Sequence, residues 1–167
     1  QGIDLTAPWP RLSVQEAFKR YASCSIEESL ATGHFNDVIS LEIEPKLPTE
    51  RPTFLYEYPA SQASLARLSN NNPAVAERFE LYIGGMELAN AFSELTDPAE
   101  QRRRFSSEEA TRRNAGKQPY PEATRFLTEL ANMPTSAGIA LGIDRLVMLL
   151  CNRGQIDDIV SFTPEHL

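Results

Sequence analysis

The sequence predicts an α+β fold, an antiparallel sheet flanked by helices, and three observations carry that prediction. Two runs of alternating apolar and polar residues flank Gly84-Gly85 between Arg78 and Asp97, the pattern of a hairpin closed by a two-residue turn that needs positive φ. A second aromatic-rich run, Thr-Phe-Leu-Tyr-Glu-Tyr at 53–58, is bounded by Pro52 and Pro59 and reads as another strand. Capped helix starts stand on both sides of these runs, at Ser13, Ser25 and Asp97.

In chain order, residues 1–12, with Pro8, Trp9 and Pro10, read as an irregular lead-in. Ser13 caps a short helix to Tyr21: Glu16 stands three residues on, and Val14, Ala17, Phe18 and Tyr21 fall at helical spacing. Ser25 and Glu28 repeat the capping pattern for a helix to Ala31, with Gly33 just beyond its end. Residues 34–52 are mixed, and Pro45, Pro48 and Pro52 make the latter part a linker or surface loop. No chemistry is legible in this first third, whose expected role is packing. Asn70-Asn71-Asn72-Pro73 is a turn ahead of the hairpin. Asp97-Pro98-Ala99-Glu100 opens a helix expected to reach Asn114, with Arg112 and Arg113 set favourably against its dipole. Arg102-Arg103-Arg104 on that helix is read as a solvated, salt-bridged face, because Glu100, Glu108 and Glu109 neighbour it. Another short helix is expected over Pro121–Ala131. Gly138 and Gly142 then lie in a short apolar strand whose missing side chains let something flat approach the backbone. A final helix opens at Asp144, with Ile143, Leu146, Val147 and Leu150 as its expected buried stripe.

Composition sets the limits. At 167 residues, with 41% hydrophobic and 23% charged residues, the chain suits a single soluble globular domain. No apolar run approaches the roughly 18 residues needed to span a bilayer. The start, Gln-Gly rather than Met, with no signal pattern after it, reads as a processed or cut piece of something larger. A net charge of −7 offers no basic surface to nucleic acid. Cys24 and Cys151 are far apart, and the histidines are His34 and His166, so no zinc-ligand spacing exists. Two lone thiols suit a reducing cytoplasm.

Two stretches carry candidate chemistry. Pairing Ile83 with Met86 across the turn puts Glu80 and Glu87 on one face as a diagonal pair, roughly 7–8 Å apart between backbones. Such a pair can share Mg²⁺ with waters and a substrate phosphate; equally, it suits an ordinary half-solvated hairpin with its glutamates outward. Arg145, in the first turn of an apolar helix, can bind phosphate through its guanidinium fork, or simply pair with Asp144 or a neighbouring carboxylate.

Together these stretches resemble the catalytic domain of class II aminoacyl-tRNA synthetases of the lysyl type, over about residues 53–163. Gly-Ile-Ala-Leu-Gly-Ile-Asp-Arg-Leu (138–146) is similar to motif 3 of that class, and Arg78–Leu95 to the strand pair of lysyl enzymes. The resemblance implies ATP and Mg²⁺ as cofactors, with Glu80 and Glu87 as metal ligands. Glu87, Leu88, Gly142 and Arg145 would contact ATP, Arg145 being the catalytic residue. Asn90, Phe92, Glu94 and Ala140 would line the pocket for lysine or β-lysine, with Glu94 receiving the substrate ammonium. Pro-Ala-Ser-Gln-Ala-Ser-Leu-Ala (59–66), Glu-Leu-Ala-Asn (87–90) and Ala140 resemble the paralogues that attach lysine, preferentially β-lysine, to a lysine of elongation factor P; Ser93 stands as in the tRNA enzymes. The alternatives are a lysyl-tRNA synthetase charging tRNA and a non-catalytic synthetase-like binding module. The parent enzyme would be a cytoplasmic homodimer with no membrane partner.

Motifs 1 and 2 of the class are not found. Residues 1–52 would then be a helical insertion and linker, and 53–167 the C-terminal part of the catalytic domain. Strict alternation from Glu87 would send Asn90, Phe92 and Glu94 away from the carboxylate face, so a bulge or bend is expected between Glu87 and Asn90. With half of the ATP contacts missing, the purified 167-residue chain is expected to give no ATP–pyrophosphate exchange with lysine or β-lysine. Clear turnover in that assay would overturn the expectation.

Overall fold

In the computed structural model, which describes residues 2–163, five strands form one sheet in the order β1-β2-β3-β4-β5. His166 lies outside the described residues. β1 (Arg11–Ser13) runs parallel to β2 (Thr53–Tyr56), and β2 is antiparallel to β3 (Arg78–Ile83), with Leu55 opposite Glu80. β3 turns directly into β4 (Met86–Ser93) through Gly84 and Gly85, both at positive φ, as the expected two-residue turn requires. β5 (Ala137–Leu141) forms the far edge. The lead-in read as irregular thus ends in an edge strand: Phe54 donates its N–H to the Pro10 carbonyl, extending the pairing. A three-residue strand with a single buried side chain leaves no alternation to read from sequence.

The chain divides into two compact units. Among the described residues, the first comprises 2–58, 79–91 and 139–163. Its helices α1 (Val14–Tyr21) and α2 (Ile26–Ala31) start where the caps predict: Ser13 Oγ accepts from Glu16 N–H, and Ser25 and Glu28 form a reciprocal capping box. Residues 35–46, in the stretch read as mixed with a linker or surface loop in its latter part, are helical throughout, by α3 (Phe35–Val38), one π turn (Ile39–Ile43) and one 3₁₀ turn (Glu44–Lys46). Burial explains the difference. Phe35, Val38, Ile39, Ile43 and Leu47 are all in the core, so packing overrides the breaking effect of Pro45, which sits in the first positions of its short turn where no intrahelical N–H is required. Phe18 and Phe35 stack with centroids 5.4 Å apart. These side chains close over Leu55 and Tyr82 on the sheet, forming the main core.

The second unit comprises residues 59–78 and 92–138. Ala63, Ala66 and Ala76 make a small buried cluster, with Leu68 and Phe92 against it. Asp97 caps α4 (Pro98–Asn114) by accepting from Ala99 and Glu100 N–H, and Gly116 follows the helix at positive φ. Glu100 pairs with both Arg103 and Arg104, so two of the three arginines are salt-bridged as expected. The hydrogen bond from Arg104 holds the Glu100 carboxyl below its usual range. Arg104 also donates to the Ser64 and Ala66 carbonyls, which fastens α4 to the alanine cluster. α5 (Thr124–Leu130) begins later than Pro121, where the chain first escapes the proline. No helix among the described residues is long and apolar enough to cross a membrane.

α6 (Ile143–Leu150) departs from its expected burial. Met148 is its buried residue, whereas Ile143 and Leu150 are 59% and 77% exposed. The helix turns Met148 inward and sets Leu149 against the hairpin turn, where a Cβ added to Gly84 would lie 2.9 Å from Leu149 Cδ2. The residues on the opposite side are left uncovered in this chain.

Leu55 is fully buried at the centre of the first unit. Leu55→Ala is expected to lower unfolding free energy by about 2–5 kcal/mol, measured by urea denaturation. A loss under about 1 kcal/mol would mean that the sheet–helix contact does not carry the core.

Candidate active site

The site is built around Glu80, which β3 places in the middle of the sheet with only 8% of its surface exposed. A carboxylate so placed must be hydrogen-bonded. Tyr58 and Tyr82 both donate their hydroxyls to Oε2, at 2.5 and 2.8 Å, and Asn90 Nδ2 donates to Oε1 at 3.1 Å. Tyr82 reaches Glu80 because residues two apart on a strand share a face. Tyr58 arrives from just past β2, beyond Glu57, whose backbone takes positive φ.

A third carboxylate joins them. The Tyr82 hydroxyl also lies 3.0 Å from Glu44 Oε1. One phenolic proton cannot serve two carboxylates at once, so the second contact needs a proton from Glu44. Burial, opposed by the Tyr82 hydrogen bond and reinforced by the charges of Glu80 and Glu87, raises the Glu44 pKa above its usual range and favours that protonated form. Burial also pushes the Tyr82 phenol upward, followed by the charge of Glu80, so it stays protonated and donating.

Arg145, in the first turn of α6, donates through Nη1 to the Glu87 carbonyl at 2.6 Å and lies 3.3 Å from Glu87 Oε2. The helix is brought there by Gly142, whose N–H donates to the Leu88 carbonyl at 2.8 Å. Leu88 itself is buried, so its contribution on this surface is the carbonyl. Of the two sequence readings of Arg145, the structure shows the pairing with a neighbouring carboxylate, here Glu87.

Asn90 joins the Glu80 face. Leu88 and Ala89 are buried in succession, a break in alternation at the position where a bend was expected, although β4 runs on as one strand to Ser93. Phe92 and Glu94 belong to the second unit. There Phe92 packs on the alanine cluster, and Glu94 N–H donates to the Ser136 carbonyl. A Cβ on Gly138 would stand 2.6 Å from Glu94 Oε1, so the glycine makes room for that carboxylate. Ala140 is exposed on β5.

Sequence reasoning missed three residues. Glu44 lies in a stretch read as a loop, and its signal was its position between two apolar residues, Ile43 and Leu47, both of which prove buried. Tyr58 and Tyr82 were read as strand aromatics, with no hint that their hydroxyls meet one carboxylate.

All charged donors in this neighbourhood are oxygens or a guanidinium, which suits a hard cation and a polyphosphate rather than a soft metal. Among the described residues no three His, Cys, Asp or Glu side chains could hold a metal by themselves.

The fold is an α+β domain, a mostly antiparallel sheet presenting carboxylates on a hairpin beside a glycine strand and an arginine-bearing helix. The sequence matches the family described as tRNA synthetases class II (D, K and N) over residues 1–166, and the chain belongs to that family. It is 39% identical to an elongation factor P–(R)-β-lysine ligase of Erwinia tasmaniensis, over 96% of this chain and 56% of that protein. To the protein of the same name in Enterobacter sp. it is 49% identical, over 74% of this chain and 38% of the relative. A lysine–tRNA ligase of Moorella thermoacetica is 38% identical over 96% of this chain and 37% of its own length. The chain thus spans about half, or less, of the curated relatives it matches.

The raised Glu44 pKa has a stability consequence. The folded state favours the protonated carboxyl, so its contribution is present below the ordinary carboxylate pKa and is lost as pH rises through the raised one. Glu44→Gln, neutral and able to donate its amide N–H to the Tyr82 hydroxyl oxygen, is expected to unfold at higher temperature than the wild type near pH 7, with the difference shrinking toward about pH 4. Thermal unfolding across that range checks it; a destabilised variant at neutral pH would show that the charge is needed.

Proposed function

We propose that this chain is the carboxyl-terminal part of the catalytic domain of an ATP-dependent ligase that activates lysine or β-lysine as an adenylate and transfers it to a lysine of elongation factor P. The observation that carries the reading is the meeting of Glu87, Arg145 and the Leu88–Gly142 backbone link beside the hydrogen-bonded Glu80. Relatives carrying the elongation factor P name match at up to 49% identity, and the stretches at 59–66 and 87–90 resemble that subfamily. Charging of tRNA is the second reading, favoured by the likeness to the Moorella lysine–tRNA ligase along nearly the whole chain.

The amino-acid carboxylate attacks the α-phosphorus of ATP, pyrophosphate departs, and the acceptor amine then displaces AMP from the adenylate. Such a reaction needs positioning and charge neutralisation more than acid–base groups. Glu80 and Glu87 would hold Mg²⁺, which neutralises phosphate charge when bound. Arg145 exchanges its pairing with Glu87 for a phosphate oxygen or stacks on the base. Gly142 leaves its side open to the nucleotide. Asn90 orients the amino acid, Phe92 packs its aliphatic stem, Glu94 receives its ammonium, and Ala140 adds a methyl that narrows the pocket. A carboxylate facing an ammonium discriminates strongly against uncharged analogues. The parent would act as a homodimer in the cytoplasm.

The test uses the full-length enzyme. ATP–pyrophosphate exchange with lysine and (R)-β-lysine is expected, followed by label transfer to elongation factor P and not to tRNA. Arg145→Ala is expected to reduce exchange by about 100-fold, the loss usual for one preorganised donor at a charged transition state. Transfer to tRNA alone would favour the second reading, and exchange unaffected by Arg145→Ala would remove the role given to the arginine.

A further inference from the structure

We infer that Tyr58 and Tyr82 are positioning residues that make Glu80 a one-oxygen ligand and thereby select Mg²⁺ over Ca²⁺; this rests on reading Glu80 as a metal ligand. An ionised carboxylate oxygen has two acceptor sites in the carboxyl plane. Both sites of Oε2 are taken, by the Tyr58 hydroxyl at 2.5 Å and the Tyr82 hydroxyl at 2.8 Å. Neither phenol can step aside cheaply. Tyr58 is 2% and Tyr82 1% exposed, and both sit in the main core with Leu55 and Ile43. Tyr82 is further tied by its contact with Glu44 Oε1 at 3.0 Å. Withdrawing either hydroxyl from Oε2 would break a hydrogen bond to a buried carboxylate.

A cation therefore meets Glu80 through Oε1, the oxygen on the Asn90 side. Bidentate binding, which needs both oxygens, is blocked. Mg²⁺ is small, octahedral and accepts single-oxygen carboxylates, whereas Ca²⁺ fills a larger, looser shell that commonly takes carboxylates through both oxygens. Outer hydrogen bonds of this sort orient ligands and tune the metal. The pair of buried phenols thus sets the geometry of the site without touching the metal or the nucleotide.

The experiment measures Mn²⁺ bound to the full-length enzyme by electron paramagnetic resonance, with a non-hydrolysable ATP analogue present, and displaces it with Mg²⁺ or Ca²⁺. Tyr58→Phe and Tyr82→Phe are expected to shift the Ca²⁺-to-Mg²⁺ competition ratio about tenfold toward Ca²⁺. Tyr56→Phe removes a phenol from β2 that faces Arg11 instead, at 4.8 Å from guanidinium carbon to ring centre, and is expected to leave the ratio unchanged. Glu80→Gln separates the two levels of inference. If it leaves Mn²⁺ binding intact, the metal role of Glu80 falls and the phenol role falls with it. If it weakens binding while a folded Tyr58→Phe or Tyr82→Phe keeps the wild-type ratio, the phenol role alone is overturned.

Discussion

Housing one carboxylate inside a sheet is the constraint on which the rest of this structure depends. Glu80 sits opposite Leu55, the most central residue of the core, and a bare anion there would be prohibitively costly. Its hydrogen bonds come from three places in the chain: the corner after β2, its own strand, and β4. Each donor requires a correct register. A one-residue slip between β2 and β3 would carry Glu80 to the face away from Tyr58 and remove that hydrogen bond. The same carboxylate therefore acts as a check on strand pairing as well as a candidate ligand.

The helical segment 35–46 has a double role. Its apolar residues cover the sheet, and its last turn carries Glu44 to the Tyr82 hydroxyl. A stretch that looks like scaffolding thereby reaches the polar cluster. Buried networks of this sort are stable only when every member is satisfied.

On the other side of the hairpin the electrostatics are looser. Arg145 and Glu87 have side chains 49% and 34% exposed, and an ion pair so wetted is worth only about 0–1 kcal/mol. The guanidinium is held near Glu87 chiefly by its bond to the Glu87 carbonyl at 2.6 Å rather than by the ion pair. Rigid placement of Glu80 and loose pairing of Glu87 divide the hairpin into a fixed half and an exchangeable half.

The local signals were legible from sequence because they depend on neighbours in the chain. Ser13, Ser25 and Asp97 cap helices through groups two or three residues away, Gly84-Gly85 closes a hairpin through its own φ angles, and the motif at 138–146 places Arg145 at the start of α6. What failed depended on partners distant in sequence. The helix over 35–46 forms because of what it buries, the wrong side of α6 was taken as covered, and the part of Glu44 becomes visible only when Tyr82, thirty-eight residues on, is beside it. The sequence by itself determined the capped helices, the hairpin and the family. Tertiary structure alone decided that two phenols meet the same oxygen of Glu80, because a hydroxyl's partner is set by packing across strands and not by any periodicity along one.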